Sequence, residues 1–299
     1  MNEAPDKVIT IGASMGGFPY FRNILRHIDP EWPVAVMFVQ HIHPDHKSQL
    51  PKLLSSITDM EIIQVNRRHA IRKGCLYLPQ PDKHMFVHEG EVFAVSAPKE
   101  NGSRPSINTL FRSAAVHYRE RVIGILLSGL LTDGTLGMKS IQECGGLTIA
   151  QHPEEADFPE MPFSALKEGY ADHSLELSKE NKILKDLIQR PVEADESIEV
   201  PAILRSQVEA VSNFIEPATY NSDPSIPLKS PKSDEYMLVT LLVLMQERTN
   251  MLVNLAEKEK IKGHDHMSGR YRLKAEESRE LAENLRNYMN RLEKSQKSA

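Results

Sequence analysis

Three short runs set the strongest constraint on how this chain folds: VAVMFV (residues 34–39), apolar throughout, and two further buried-strand patterns, VITI (8–11), interrupted only by Thr10, and VIGILL (122–127). A strand that alternates apolar and polar residues buries one face, whereas a strand apolar throughout needs cover on both, as in parallel sheets sandwiched between helices. Helical spacing fills the intervals. Phe21, Ile24, Leu25 and Ile28 share a face after the first run, and Ile107, Leu110, Phe111 and Ala114 share one before the third. Further helices are predicted over 48–57, 134–144 and 163–168, with strands over 62–65 and 147–150. This βαβ alternation predicts an open α/β fold, a doubly wound and mostly parallel sheet with right-handed crossovers. Between Cys75 and Val95 the LYLP, MFV and VFAV patterns around Gly90 predict antiparallel strands, a hairpin at one edge of that sheet.

The α/β pattern is expected to form a domain over residues 1–189. From about Arg190 the texture changes, with Pro191, Pro201, Pro217, Pro224, Pro227 and Pro231 punctuating a polar stretch. We read 190–235 as a linker holding a short helix near 202–214. Beyond it Met237, Leu241, Leu244, Met245 and Leu252 lie at helical spacing, and Leu281, Leu285, Tyr288 and Leu292 repeat by four, three and four. Residues 236–299 are therefore expected to form a C-terminal α-helical hairpin or coiled-coil arm turning at Lys262-Gly263-His264, a route to a homo-oligomer. The net charge of −5 gives no general means of gripping a polyanion, so no nucleic-acid partner is expected. Cys75 and Cys144 fit neither a disulfide framework nor a C-x-x-C site, and no signal or membrane-spanning segment is evident. A cytoplasmic protein without membrane insertion is expected.

Catalytic groups in open parallel sheets gather at the carboxyl ends of the strands. Three polar residues stand there: Ser14 in GASMGG, His41 at the end of VAVMFVQH, and Asp133 in SGLLTDG. A serine hydroxyl becomes nucleophilic when an imidazole takes its proton, and a carboxylate fixes that imidazole's tautomer. The chain supplies one candidate for each role, in an order unlike the Ser, Asp, His of α/β-hydrolases. Other readings remain open at this point. The glycine turn could cradle a phosphate, although Ser14 occupies the second glycine of G-x-G-x-x-G and no acidic residue ends the second strand. His41 could be a hydrogen-bonded structural residue, and Asp133 could cap the helix that begins GTLGMKS.

Residues 8–177 resemble the catalytic domain of CheB-type protein-glutamate methylesterases of bacterial chemotaxis. The resemblance rests on IGASMGG, VQHIHP, CLYLPQPDKH, RPSINTLFRSAA, VIGILLSGLLTDGTLGM, GGLTIAQ and MPFSAL, in the family's order. It implies a serine hydrolase that removes methyl esters from glutamates of chemoreceptors and deamidates glutamines, with no metal or cofactor. It also implies roles: Ser14 as nucleophile, His41 as base, Asp133 as the residue orienting His41, and the Met15 and Leu130 N–H groups as oxyanion donors. Gly16 and Gly17 would turn the chain tightly and admit a substrate helix, and His84 falls in a block near the family's active-site rim. A methylated chemoreceptor or similar helical protein is the implied partner.

Departures from the family pattern support a second expectation, a catalytically weak adaptor that binds a helical signalling partner. Leu131 stands where a glycine is usual, Phe18 where proline is common, and Asn108 where aspartate is. No amino-terminal receiver domain is expected, since the catalytic pattern begins by residue 7. The tail resembles that of receiver-less relatives, and its lack of cysteine predicts no zinc site there.

Overall fold

The apolar runs need cover on both faces, and the fold provides it. A computed structural model describes residues 3–41, 50–178, 182–192, 197–215, 249, 252–253, 256, 260–261 and 265–296. In chain order the first part of the chain forms β1 (Lys7–Ala13), α1 (Phe18–Arg26), β2 (Val34–Gln40), α2 (Leu50–Leu54), β3 (Glu61–Val65), β4 (Arg68–Ala70) and β5 (Cys75–Pro79). There follow β6 (His84–His88), β7 (Glu91–Val95), α3 (Ile107–Tyr118), β8 (Val122–Leu126), α4 (Thr135–Glu143), β9 (Leu147–Gln151), α5 (Glu160–Lys167) and β10 (His173–Leu175). The helices α6 (Lys182–Gln189), α7 (Ala202–Ser212) and α8 (Asp265–Gln296) come last.

Seven strands make the main sheet in the order β10-β9-β8-β1-β2-β5-β3, each neighbouring pair parallel. Alternate side chains of β2 enter two separate cores. Ala35, Met37 and Val39 join α3 and α4 on one face. Val34, Val36 and Phe38 join α1 and α6 on the other. There the Phe21 and Phe38 rings stack with centroids 3.6 Å apart.

The antiparallel strands form their own sheet, β4-β7-β6. Glu89 and Gly90, both at positive φ, turn the β6–β7 hairpin. Cys75–Pro79 does not join them, contrary to the pairing expected from the sequence, and lies between β2 and β3 as a parallel strand. All five of its residues are buried, so it needs cover on both faces, which the hairpin sheet cannot give.

Lys7 ties the start of the sheet to α6. Its ammonium donates to the carbonyls of Leu187 and Ile188, at 3.2 and 2.8 Å, and also to Arg190 O, supplying the cation a helix C-terminus favours. Farther along, Ile198 lies over Gly145 and Leu204 enters the α3–α4 core. Two compact units meet in the chain at Leu204 and Arg205.

In the second unit α8 buries Ser268, Ala275, Ser278 and Ala282, while Leu281 and Tyr288 are half exposed. The buried positions described on this helix carry small side chains. Most of the first helix expected in the tail, and the turn expected at Lys262-Gly263-His264, lie outside the described residues. Among the described residues no helix is long and apolar enough to cross a membrane.

Two histidines meet where the hairpin reaches α3. His88 Nδ1 lies 3.2 Å from His117 Nε2, with the rings edge to face. Burial, and then the neighbouring His88, hold the His117 pKa down at about 4, while Glu89 opposes them. An unfolded histidine titrates near pH 6.5. Between about pH 6.5 and pH 4 the unfolded chain therefore binds more protons, and stability falls as pH falls. Thermal unfolding should show a Tm that drops from pH 7 to pH 5, with a shallower drop for His117→Gln; equal slopes would mean that this pair does not set the acid response.

Candidate active site

Parallel strands bring their carboxyl ends to one edge of the sheet, and the winding reverses at β1, which pairs with β2 on one side and β8 on the other. A crevice opens at such a switch point. Ser14 follows β1, His41 follows β2, and Asp133 lies between β8 and α4. The structure brings these three together. His41 Nδ1 lies 3.2 Å from Ser14 Oγ, and its Nε2 lies 2.7 Å from Asp133 Oδ2. A carboxylate only accepts, so the imidazole proton sits on Nε2 and the Nδ1 lone pair faces the serine hydroxyl.

Asp133 is almost wholly buried and accepts from six donors. Oδ2 takes His41 Nε2 and, at 2.8 Å, Ile107 N–H. Oδ1 takes the Asn101 amide, the Ser106 hydroxyl and the Asn108 and Gly134 N–H groups, all at 3.0–3.1 Å. Burial, the largest single influence, pushes its pKa up. The bond to His41, that residue's charge, and the Ile107 and Asn101 donors outweigh it and hold the value at about 2. The group therefore stays ionised wherever an esterase would work.

Ile107 and Asn108 open α3, whose N-cap residue Ser106 makes no side-chain cap of its own. Asp133 caps that helix from outside. The favour is returned, because Asn108 Oδ1 accepts from Gly134 and Gly137 at the start of α4, at 3.0 and 2.7 Å. Asp133 thus does act as a helix cap, chiefly for α3 rather than for the helix that follows it, and the α3 N-terminus adds favourable charge. Asn108 Nδ2 is left buried without a partner.

His84 does not reach the rim. It is buried, with Nε2 on Pro98 O at 2.9 Å and Nδ1 accepting from Ser106 N at 3.1 Å, and burial lowers its pKa. It holds Ser106 for Asp133 and has no nitrogen to spare for a substrate. Gly17 also points inward, where an added Cβ would sit 2.7 Å from Ala13 Cβ. Gly16, at φ +75°, lets the Asp157–Phe158 segment approach within 3 Å of where its Cβ would be. Both glycines serve close packing around the turn.

The Met15 and Leu130 N–H groups donate to no acceptor among the described residues. Ser128 fixes the two loops that carry them. It accepts Ser14 N–H on its carbonyl at 3.0 Å, donates its hydroxyl to Met15 O at 2.9 Å, and accepts Phe158 N–H on that hydroxyl at 2.9 Å. Its own N–H is held by Gln151 Oε1 at 2.8 Å. Leu131 adopts φ +67° and donates its N–H to Glu160 Oε2 at 3.1 Å, so the side chain replacing glycine does sit in the left-handed region. Phe18 is half-buried against the α1 core.

Sequence reasoning missed Asn101, Ser106, Ser128, Gln151 and Glu160. Asn101-Gly102 is a recognisable αL turn, and both residues have positive φ. Ser128 follows an apolar strand and Gln151 ends a buried one, the kind of position that identified His41. Ser106 and Glu160 carried no such mark. Among the described residues no group of three or more His, Cys, Asp or Glu is placed to hold a metal.

A serine, a histidine and a buried aspartate thus stand in one hydrogen-bonded relay at the switch point of a doubly wound sheet. The family model described as CheB methylesterase matches residues 9–184, and the chain belongs to that family. It is 31% identical over 188 residues to a Leptospira interrogans protein provisionally named protein-glutamate methylesterase/protein-glutamine glutaminase, spanning 62% of this chain and 97% of the relative. A Methanosarcina acetivorans protein-glutamate methylesterase/protein-glutamine glutaminase is 32% identical over 59% of this chain, which spans 52% of it. The Thermotoga maritima CheB methylesterase catalytic domain superposes with a TM-score of 0.57 at 29% identity, over 61% of this chain and 97% of that one.

Asn108→Ala would remove the acceptor from Gly137 N–H and weaken that of Gly134. Leaving a buried donor unpaired costs ~1–3 kcal/mol. Urea unfolding should therefore show a loss of about 2 kcal/mol, and an unchanged midpoint would refute the reciprocal cap.

Proposed function

We propose that this protein is a serine esterase that hydrolyses the γ-methyl esters of glutamate side chains on a helical chemoreceptor. The observation that carries this reading is the unbroken hydrogen-bonded relay from Ser14 through His41 to Asp133, at 3.2 and 2.7 Å. Ser14 Oγ attacks the ester carbonyl carbon while His41 Nδ1 takes the hydroxyl proton. The carbonyl oxygen becomes an oxyanion between the Met15 and Leu130 N–H groups, where donors are worth most. Asp133 stabilises the imidazolium, which gives its proton to the departing methoxide. Methanol leaves, and a γ-glutamyl ester on Ser14 remains. Water then adds to that ester with His41 as base, Ser14 Oγ departs with the returned proton, and a glutamate carboxylate is freed.

The same relay can protonate a departing amide nitrogen, and glutamine deamidation is part of the printed names of the relatives from Leptospira interrogans and Methanosarcina acetivorans. We place the reaction in the cytoplasm, where cysteines such as Cys75 and Cys144, neither of them in a disulfide, stay reduced.

Ser14→Ala and His41→Ala should fold as the wild type does and release no measurable methanol from methylated receptor. Undiminished release by Ser14→Ala would sink the assignment. A fluorophosphonate should label Ser14 in the wild type; a folded protein that stays unlabelled would point instead to an adaptor that binds a helical partner without catalysis.

Asp133→Asn should cut kcat by about 10³–10⁴, because an amide there favours the wrong imidazole tautomer. It should also lower stability, since an amide nitrogen would face N–H donors that the carboxylate accepts. A variant with wild-type kcat would remove Asp133 from the mechanism.

A further inference from the structure

A leucine at φ +67° is costly, by ~1–2 kcal/mol relative to a relaxed backbone, and glycine would carry no such cost. Leu131 accepts that strain and still presents its side chain to solvent, 60% exposed. Strain held beside a reaction centre is an observation from which function can be inferred. Met15 and Phe163 are also more than half exposed, and Leu130 more than a third.

These residues belong to one surface. Gly129 N–H donates to Phe158 O at 2.9 Å, Met161 N–H to Gly129 O at 3.0 Å, and Leu131 N–H to Glu160 Oε2 at 3.1 Å, which joins residues 129–131 to the start of α5. Beside that seam Pro153, Glu154, Pro159, Glu160 and Phe163 line a shallow, open notch of about 270 Å³.

Resting on the esterase reading above, we propose that Leu131, Phe163 and the notch between Pro153 and Pro159 are a specificity subsite for an aliphatic side chain of the substrate, one helical turn from the esterified glutamate. The spacing identifies the occupant. A Cβ on Gly129 would lie 2.7 Å from Ser14 Cβ. Leu131 is two residues further on, a reach of about 7 Å at most. A helix advances about 5.4 Å per turn, so a side chain three or four residues from the reacting glutamate falls on this surface while the ester occupies Ser14.

Charge supports the same occupant. Glu154 and Glu160 line the notch, and residues 153–163 contain no lysine or arginine. This rim favours a substrate with basic residues and the neutral ester over the carboxylate product.

The test uses lysine-flanked helical peptides, each with one γ-methyl glutamate and either leucine or alanine four residues before or after it. The small ester N-acetylglutamate γ-methyl ester is the control. Wild-type kcat/KM should favour one of the leucine peptides over alanine by about tenfold, the usual range for filling an apolar pocket. Leu131→Asn keeps a residue that tolerates the left-handed region. It should lose most of that preference through KM, with the small ester turned over as by wild type, and Phe163→Ala should do likewise. No preference in either register, or an equal slowing of the small ester by Leu131→Asn, would overturn the proposal. Peptide affinity measured on Ser14→Ala by fluorescence anisotropy separates the two readings. A leucine preference in binding without turnover by wild type would reject the esterase and keep the surface, and turnover without a leucine preference would do the reverse.

Discussion

A buried carboxylate is expensive, and the structure around the reaction centre is arranged to hold one. Asp133 would cost several kcal/mol if left unpaired in the interior. It is instead met by the imidazole of His41, two side chains and three backbone N–H groups. Two of those N–H groups belong to the first residues of α3, so the same charge that orients the base also completes a helix N-terminus. Asn108 reciprocates at the start of α4, which locks the two helices and the loop between β8 and α4 into one geometry. Outside this cluster, the bidentate pair of Glu100 with Arg112 and that of Asp82 with Arg104 hold the loop that delivers Asn101 and Ser106.

The other half of the centre depends on close approach. Ser128 connects the turn after β1 to the segment before α5, and Gly16, Gly17 and Gly129 are small because neighbouring atoms occupy the space a Cβ would need. The backbone N–H groups proposed to meet the oxyanion are therefore carried on loops held from several sides. On these loops Leu131 accepts backbone strain, at φ +67°, and its side chain is exposed.

The burial pattern made the sheet readable. Short apolar runs rich in β-branched residues read as covered strands, and the runs starting at Val8, Val34 and Val122 lie in three neighbours of the parallel order. The same rule, applied to CLYLP, would have placed Cys75–Pro79 in that sheet, but proximity in sequence to MFV and VFAV suggested the hairpin instead. In the tail the leucine spacing marks a helix, and α8 is one; within the single chain it buries Ala275, Ser278 and Ala282 while Leu281 stays half exposed. His84 looked functional because it is a histidine in a motif; burial with both nitrogens satisfied makes it a support for Ser106.

By itself the sequence determined which side chains stand at the strand ends, because covered strands and the turns that follow them are written in local composition. Ser14, His41 and Asp133 were identifiable on that ground. Tertiary structure decided what each of them touches. The tautomer of His41, five of the six partners of Asp133, the exchange of caps between α3 and α4, and the bond from Leu131 to Glu160 all depend on atoms brought together from segments some tens of residues or more apart. No local pattern encodes such distances, since they follow from how two helices and seven strands pack at a single switch point.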